Sequence, residues 1–325
     1  MKTIRWGIIG CGDVTEVKSG PAFNRCTGSQ LVAVMRRTPD KAADYARRHQ
    51  VPAWYDEADA LLADPQVDAV YIATPPDSHA DYTCRAAAAG KPVYVEKPMA
   101  RTHAECQQMI AACQQAGVPL FVAYYRRCLP AFLKVKELLE SGAIGPVRFV
   151  RVDLHYPLQA GDGDPDHLSW RVQPEQSGGG YFYDLASHQL DFLDYLLGPI
   201  SQVQGQTANQ AGLYPAEDLV VAHFAFASGV LGAGSWCFTV DPAQKIDRIE
   251  LVGAAGKISF ATFDFGPVLL ETATGVQRFD LPVPQHVQQP LIQTVVDALR
   301  GLGPCPSTGE SAARTARVMD RITAA

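Results

Sequence analysis

The feature that most constrains this chain is a turn near its start, where the apolar run TIRWGII enters Gly10-Cys11-Gly12-Asp13-Val14-Thr15. A β-rich run that passes through a glycine pair and leaves as a helix aims backbone N–H groups and a helix N-terminus at one point. A dinucleotide pyrophosphate can meet them there, with Gly10, Gly12, Asp13 and Val14 as its cradle. Thr15 stands where the motif usually has a third glycine, so the weight of the reading comes from context. Further β-rich runs, LVAVM, DAVYIA, PVYVE and PLFVAY, alternate with the helical stretches PDKAADYARRHQ, EADALLAD, HADYTCRAAAAG and THAECQQMIAACQQAG. This alternation predicts a doubly wound parallel sheet with helices on both faces, an α/β Rossmann domain over residues 1–125.

From Arg126 the pattern changes. After a helix in PAFLKVKELLESG come longer runs separated by turn residues: VRFVRVDLHY, DLVVAHFAF, VLGAGSWCF, RIELVGAAGKISF and PVLLETATGVQRF. They read as a large, mostly antiparallel open sheet in an α+β domain spanning 126–325. PLIQTVVDALRG and TGESAARTARVMDRITAA read as closing helices, the second capped by Thr308 or Ser311, and AGDGDPD at 160–166 reads as an exposed loop. At 325 residues the chain can bury two cores. A net charge of −6 without a dense Lys/Arg cluster argues against a nucleic-acid partner. The first apolar run is too short for a secretory signal and no window approaches a membrane span, so a cytoplasmic location is expected. The eight cysteines contain no C-x-x-C pair, which suits reduced thiols rather than disulfides or zinc, with Cys106 and Cys113 as core.

Three further stretches carry chemistry. LVAVM ends in Arg36-Arg37, where an NAD site normally offers a carboxylate to the ribose; a guanidinium suits a 2′-phosphate, so NADP(H) is expected over NAD(H). ATPPDSH puts Thr74, Pro75 and His79 after the fourth run, with His79 either a ligand contact or structural, and PVYVEKP puts Glu96 and Lys97 after the fifth, on the sheet edge where such folds bind ligands. SGGGYFYDLASHQLD spaces Asp184, His188 and Asp191 by four and three, one face of a helix. That face could hold a catalytic acid or base, a metal ion, or a hydrogen-bonded structural histidine. No third cluster of metal-ligand type lies nearby, and no metal is expected.

The glycine turn, ATPPDSH, EKP, AYYRR, WRVQPEQSGGG and DLASH, in that order, closely resemble the Gfo/Idh/MocA family of glucose-fructose oxidoreductase and inositol 2-dehydrogenase, nearly end to end. The resemblance implies a nicotinamide-dependent oxidoreductase acting on a sugar, polyol or cyclic diol, with Lys97, Asp184 and His188 as the catalytic set. It implies an open second sheet with one face towards the active site and the other used for oligomer contact, as a homodimer or homotetramer. Arg126 of AYYRR joins the cofactor residues with Glu96 and Lys97, and Tyr156, Trp170, Arg171 and Tyr183 join Lys97, Asp184 and His188 around the substrate. The glycines at 178–180 are expected to bring backbone close to substrate or nicotinamide. Asp191, which the family pattern does not require, is expected to be structural. An NAD-dependent glycosidase and a cofactor-sensing regulatory protein are the alternatives on the same fold.

Overall fold

The computed structural model describes residues 2–324. It divides into two compact units, Met1–Tyr125 with Pro284–Ala313, and Arg126–Val283 with Arg314–Ala325.

The first unit is a six-stranded parallel sheet in the order β3-β2-β1-β4-β5-β6. Its strands are β1 (Ile4–Ile9), β2 (Ser29–Met35), β3 (Ala53–Tyr55), β4 (Ala69–Ile72), β5 (Val93–Val95) and β6 (Leu120–Val122). The helices α1 (Asp13–Val17), α2 (Pro39–His49), α3 (Ala58–Ala63), α4 (His79–Ala88) and α5 (His103–Ala116) fall between the strands. Sequence chemistry sets their ends: Thr102 Oγ1 accepts the Glu105 N–H at 3.2 Å to start α5, and Gly117, at φ +68°, closes it. Central strands are buried on both faces, so β4 reads AVYI with no polar alternation. Trp6, Phe23, Tyr71 and Tyr94 form a buried chain of rings with successive centroids 5.0, 5.3 and 5.0 Å apart. The edge strand β3, only AWY, was not among the runs expected.

Residues 284–313 pack with this unit, not with the second as a single cut after 125 would have it. The helix Gln289–Leu299 buries Leu291, Ile292, Val295 and Val296. The Ser307 hydroxyl donates to the Val122 carbonyl at 2.7 Å and Thr308 bridges Phe121, so the returning segment covers the edge of β6. The helix Gly309–Thr323 begins with the first unit and ends with the second, and Thr308 Oγ1 and Ser311 Oγ each accept the other's backbone N–H, a reciprocal cap.

The second unit is built on an eight-stranded sheet in the order β14-β13-β12-β11-β7-β10-β9-β8. Its strands are β7 (Val147–His155), β8 (Ile200–Ala208), β9 (Leu219–Phe226), β10 (Leu231–Cys237), β11 (Ile246–Gly253), β12 (Gly256–Phe260), β13 (Val268–Thr272) and β14 (Gly275–Phe279). All pairings are antiparallel except β7 with β10. The glutamine-rich edge strand β8, ISQVQGQTA, was not expected from the sequence, because only its first residue is buried and its apolar pattern is weak. The inner face is covered by α6 (Pro130–Glu140) and α8 (Ser187–Leu197); between them in chain order comes the one-turn α7 (Pro174–Ser177). Phe132 of α6, Phe192 of α8 and Phe260 of β12 pack edge to face at 4.8 to 5.9 Å. On the other face Phe149, Val221 and Leu231 stand 46%, 48% and 61% exposed, with Phe149 and Leu231 in register on neighbouring strands. Among the described residues no helix is long and apolar enough to cross a membrane, and no group of His, Cys, Asp and Glu is arranged to hold a metal.

Candidate active site

In the first unit the C-terminal ends of β1, β2, β4 and β5 carry the residues picked out in the sequence. Gly10 takes φ +90°, and a Cβ there would stand 2.6 Å from Thr74 Cγ2, so the turn lies against the loop after β4. Both Gly10 and Cys11 donate to the Met35 carbonyl, tying the turn to the end of β2. On the other side Gly12 opens to space, with no neighbour of a built Cβ nearer than Gly10 O at 3.9 Å. A pyrophosphate fits that opening. Arg36 Nη1 donates to the Cys11 carbonyl at 3.2 Å, which sets a guanidinium over the turn, while Arg37 is exposed. Burial pushes the Cys11 thiol up to about 11 despite the neighbouring Arg36 charge, so the cysteine inside the motif is inert. The residues present therefore fit a dinucleotide, with Gly10 and Gly12 at the turn that would meet its pyrophosphate, Arg36 over that turn, and Thr74 and Pro75 half-exposed beside it.

Thr15 replaces the third glycine without disturbing this. It is fully buried, its hydroxyl donates to the Gly12 carbonyl at 2.7 Å, and its own carbonyl accepts the Tyr45 hydroxyl at 2.8 Å. The close approach has moved to Gly20, where a Cβ would lie 2.2 Å from Thr15 O and 2.3 Å from Tyr45 Oη. Gly20 and Tyr45 are thus parts of the turn that the sequence did not flag.

Glu96 and His79 are both built into supporting hydrogen-bond networks. The buried Glu96 carboxylate accepts from Tyr71 Oη (2.5 Å), Gln288 Nε2 (2.5 Å) and the Lys97 N–H (3.0 Å). Gln288 in turn accepts from Tyr94 Oη at 2.9 Å. The Glu96 carboxylate is thus engaged in fixing the backbone that carries Lys97, a half-buried residue ahead of a cis Pro98. His79 is wholly buried. Nε2 lies 2.8 Å from the Thr74 carbonyl oxygen, and Nδ1 lies 3.1 and 3.2 Å from those of Pro98 and Met99. It therefore joins the loop after β4 to the loop after β5. Burial holds its pKa below the ordinary value, against the pull of these carbonyls and of Glu96.

In the second unit the glycine run proves to be conformational. Gly178 ends α7 at φ +92° and Gly180 turns the chain at φ +65°. A Cβ on Gly179 would strike the Tyr183 ring at 2.4 Å, and one on Gly180 would strike Ala216 at 2.6 Å. Ser177 Oγ accepts the N–H groups of Gly179 and Gly180. Gly179 and Gly180 are required by this packing within the unit. The turn they form opens into a π-helical segment, Phe182–Ala186, which runs straight into α8.

Asp184 lies in the π segment and His188 in the first turn of α8, both buried. Arg171 Nε donates to Asp184 Oδ2 at 3.1 Å while its guanidinium stacks 4.6 Å from Trp170. The His188 ring meets Phe263 at 5.9 Å and 73°, and Phe263 meets Tyr156 at 6.3 Å. His188, Phe263 and Tyr156 thus make one cluster, Asp184 joins Arg171 and Trp170, and Phe263 is a member the sequence gave no reason to choose.

Tyr183 and Arg126, expected at the substrate and cofactor sites, and Asp191, expected to be structural, all have partners within the second unit. Tyr183 is buried with its hydroxyl donating to Asp320 Oδ1 (3.3 Å) and 3.0 Å from Thr323 Oγ1, so it anchors the final helix. The Arg126 Nε donates to the Thr262 carbonyl at 2.9 Å and its guanidinium covers Phe263 at 4.4 Å, which joins it to the second unit's cluster. Asp191 is ion-paired with Arg127, both side chains 2% exposed. Asp162, inside the stretch expected to be an exposed loop, is buried and accepts the Tyr181 hydroxyl at 2.5 Å.

Comparison with known proteins gives a coherent result. Residues 4–124 match an oxidoreductase family with an NAD-binding Rossmann fold, and residues 132–259 match the GFO/IDH/MocA C-terminal domain. The chain is 38% identical to oxidoreductase P35 of Formosa agariphila over 98% of its own length and 97% of that protein's. It is 29% identical to the 1,5-anhydro-D-fructose reductase of Ensifer adhaerens, over 94% of this chain and 91% of that one. Its fold superposes on the aldose-aldose oxidoreductase of Caulobacter crescentus, solved with glycerol, with a TM-score of 0.85 and 27% identity over 99% of this chain and 96% of that one.

Proposed function

The chain belongs to the Gfo/Idh/MocA oxidoreductase family, and from that premise we propose that it moves a hydride between NADP(H) and a carbinol carbon of a sugar, polyol or cyclic diol. The relatives that act on 1,5-anhydro-D-fructose and on aldoses support this substrate class. When bound, the nicotinamide takes the hydride in oxidation and gives it back in reduction. His188 takes the proton of the reacting hydroxyl, since an imidazole titrates near neutrality. Lys97 places an ammonium where negative charge gathers on the reacting oxygen. Asp184 and Arg171, joined at 3.1 Å, bind neighbouring hydroxyls, with Trp170 and Tyr156 as aromatic walls. The observation that carries the assignment is the buried Asp184 and His188 pair at the π-to-α junction, because such junctions place side chains that an even helix would not.

Arg36, 3.2 Å from the Cys11 carbonyl, supports NADP(H) over NAD(H). The free thiols of all eight cysteines support a reducing, cytoplasmic setting. The exposed Phe149, Val221 and Leu231 support self-association as a dimer or tetramer through the outer face of the second sheet.

The test is a panel of aldoses, 1,5-anhydro-D-fructose, inositols and dihydrodiols, followed by reduced-cofactor absorbance with NADP and NAD in parallel. Turnover of at least one member is expected, abolished in His188→Ala and Lys97→Met. No cofactor-linked signal across the panel, or sugar release without net cofactor change, would overturn the reading.

A further inference from the structure

The backbone corner Thr262–Asp264, just after β12, is held more firmly than an ordinary surface turn. The Asp247 carboxylate on β11 accepts the N–H groups of Thr262, Phe263 and Asp264 at 3.0, 2.6 and 3.0 Å. The Thr262 carbonyl accepts from Arg126 Nε at 2.9 Å, and Thr262 Oγ1 accepts from Gln189 Nε2 at 3.1 Å. Gln189 Oε1 is fixed in its turn by the buried indole N–H of Trp236 at 2.7 Å. The N–H, C=O and Oγ1 of Thr262 are each bonded, from three separate elements. A carboxylate taken half out of water to hold three amides is an expensive way to shape a loop, unless the loop's position matters.

What the corner carries is the half-buried Phe263, whose ring meets the His188 imidazole edge to face at 5.9 Å and 73°. Arg126 covers the same ring at 4.4 Å, and Gln189, the neighbour of His188 on α8, bonds the corner directly. The corner therefore grips the histidine twice, once through the helix and once through the ring. We propose that Phe263 is a positioning residue for His188, and that Asp247 acts behind it by fixing the corner. The ring restricts the imidazole to one orientation about its side-chain torsions, and a proton acceptor held in one orientation reacts faster than one that samples several. The proposal rests on His188 as the proton-transfer residue, and its test separates the two claims.

The variants are Phe263→Ala, Phe263→Leu, Phe263→Tyr and Asp247→Asn, beside His188→Ala. Turnover is measured with NADPH or NADP and the fastest member of the panel. Cofactor affinity is measured by NADPH fluorescence titration, and the His188 ring is followed by NMR of 13C-histidine-labelled protein, assigned with His188→Ala. Phe263→Ala and Phe263→Leu should lower kcat about ten- to a hundredfold, with NADPH affinity changed less than about twofold. The His188 resonances should shift as the ring current is lost. Phe263→Tyr, which keeps the ring, should retain kcat within about threefold, and Asp247→Asn should fall between. If His188→Ala turns over normally, the assignment of His188 fails. If His188→Ala is inactive while Phe263→Leu keeps wild-type kcat and unshifted His188 resonances, the positioning role fails. Should the alanine variant not fold, the leucine and tyrosine pair still decides it, because both keep the bulk and only one keeps the ring.

Discussion

Replacing Asp191 by asparagine changes two atoms' chemistry and almost no volume, yet we expect it to be among the most damaging polar substitutions in the second unit. Asp191 Oδ2 and Oδ1 accept from Arg127 Nε and Nη2 at 2.8 and 2.5 Å, a bidentate pair with 2% of either side chain exposed. Arg127 also lies 4.9 Å over the Tyr195 ring. Burial pushes the Asp191 carboxyl up, while the guanidinium pulls it down. Because arginine does not give up its proton, a neutral partner would leave its charge buried and uncompensated. Breaking such a pair from one side costs about 3 to 5 kcal/mol, and asparagine, which keeps one acceptor, should sit near the lower figure. For a unit of this size that is a fall of about 6 to 12 °C in Tm. Scanning calorimetry at pH 7 reads it. Arg127→Met should fall similarly, and the double variant Arg127→Met/Asp191→Leu should recover most of the loss, because an apolar pair of similar volume needs no ion pair. Asp191→Asn melting at or above the wild-type temperature would mean that desolvation of the carboxylate outweighs the pairing, and the reasoning would be wrong.

Other outcomes follow from the same geometry. Arg36→Asp should weaken NADPH binding about ten- to a hundredfold and turn preference towards NADH, as read by parallel titrations; wild-type protein that binds NADH at least as tightly would refute the role of Arg36. Tyr183→Phe removes a hydroxyl that holds Asp320 and Thr323, so Tm should drop by a few degrees with kcat unchanged, and a selective loss of kcat would return Tyr183 to the substrate site. His79, with its pKa held below the ordinary 6.5, stays unprotonated in the folded chain while the unfolded chain takes up a proton, so wild-type stability should fall as pH drops below that value. Urea denaturation from pH 8 to 5 should show a shallower dependence in His79→Gln, and identical slopes would contradict the burial argument.

The fold was legible because its signals are periodic and local. The β-rich runs and alanine-rich helices of the first unit, and the hairpin-like runs of the second, each follow one repeat, and the change near Arg126 is the change from one repeat to the other. What escaped is what depends on partners distant in sequence. Residues 284–313 read as a plain amphipathic helix and loop, and it takes the edge of β6 and the distant Glu96 and Tyr94 to reveal where they belong. Asp162 looked exposed because its neighbours are glycine, aspartate and proline, and its burial is set by Tyr181. Within the candidate site, spacing found Asp184, His188 and the glycine turn, but it could not distinguish a residue that faces a ligand from one that props it up. Glu96, His79 and Tyr183 carry suitable chemistry and are used internally. Phe263 is one of three phenylalanines between 260 and 265, and no sequence pattern singles it out.

The return of residues 284–313 to the first sheet also bears on the order in which the chain can be completed. The Glu96 carboxylate waits for Gln288, 192 residues downstream, and the Val122 carbonyl waits for Ser307, 185 residues downstream. On the ribosome the parallel sheet would therefore emerge with the β6 edge uncovered and the support of Lys97 unfinished until nearly the whole of the second unit had been made. Long closures of this kind slow folding and leave a sticky intermediate, so the nascent first unit is the stage at which a chaperone would be needed and at which a premature stop would be most prone to aggregate.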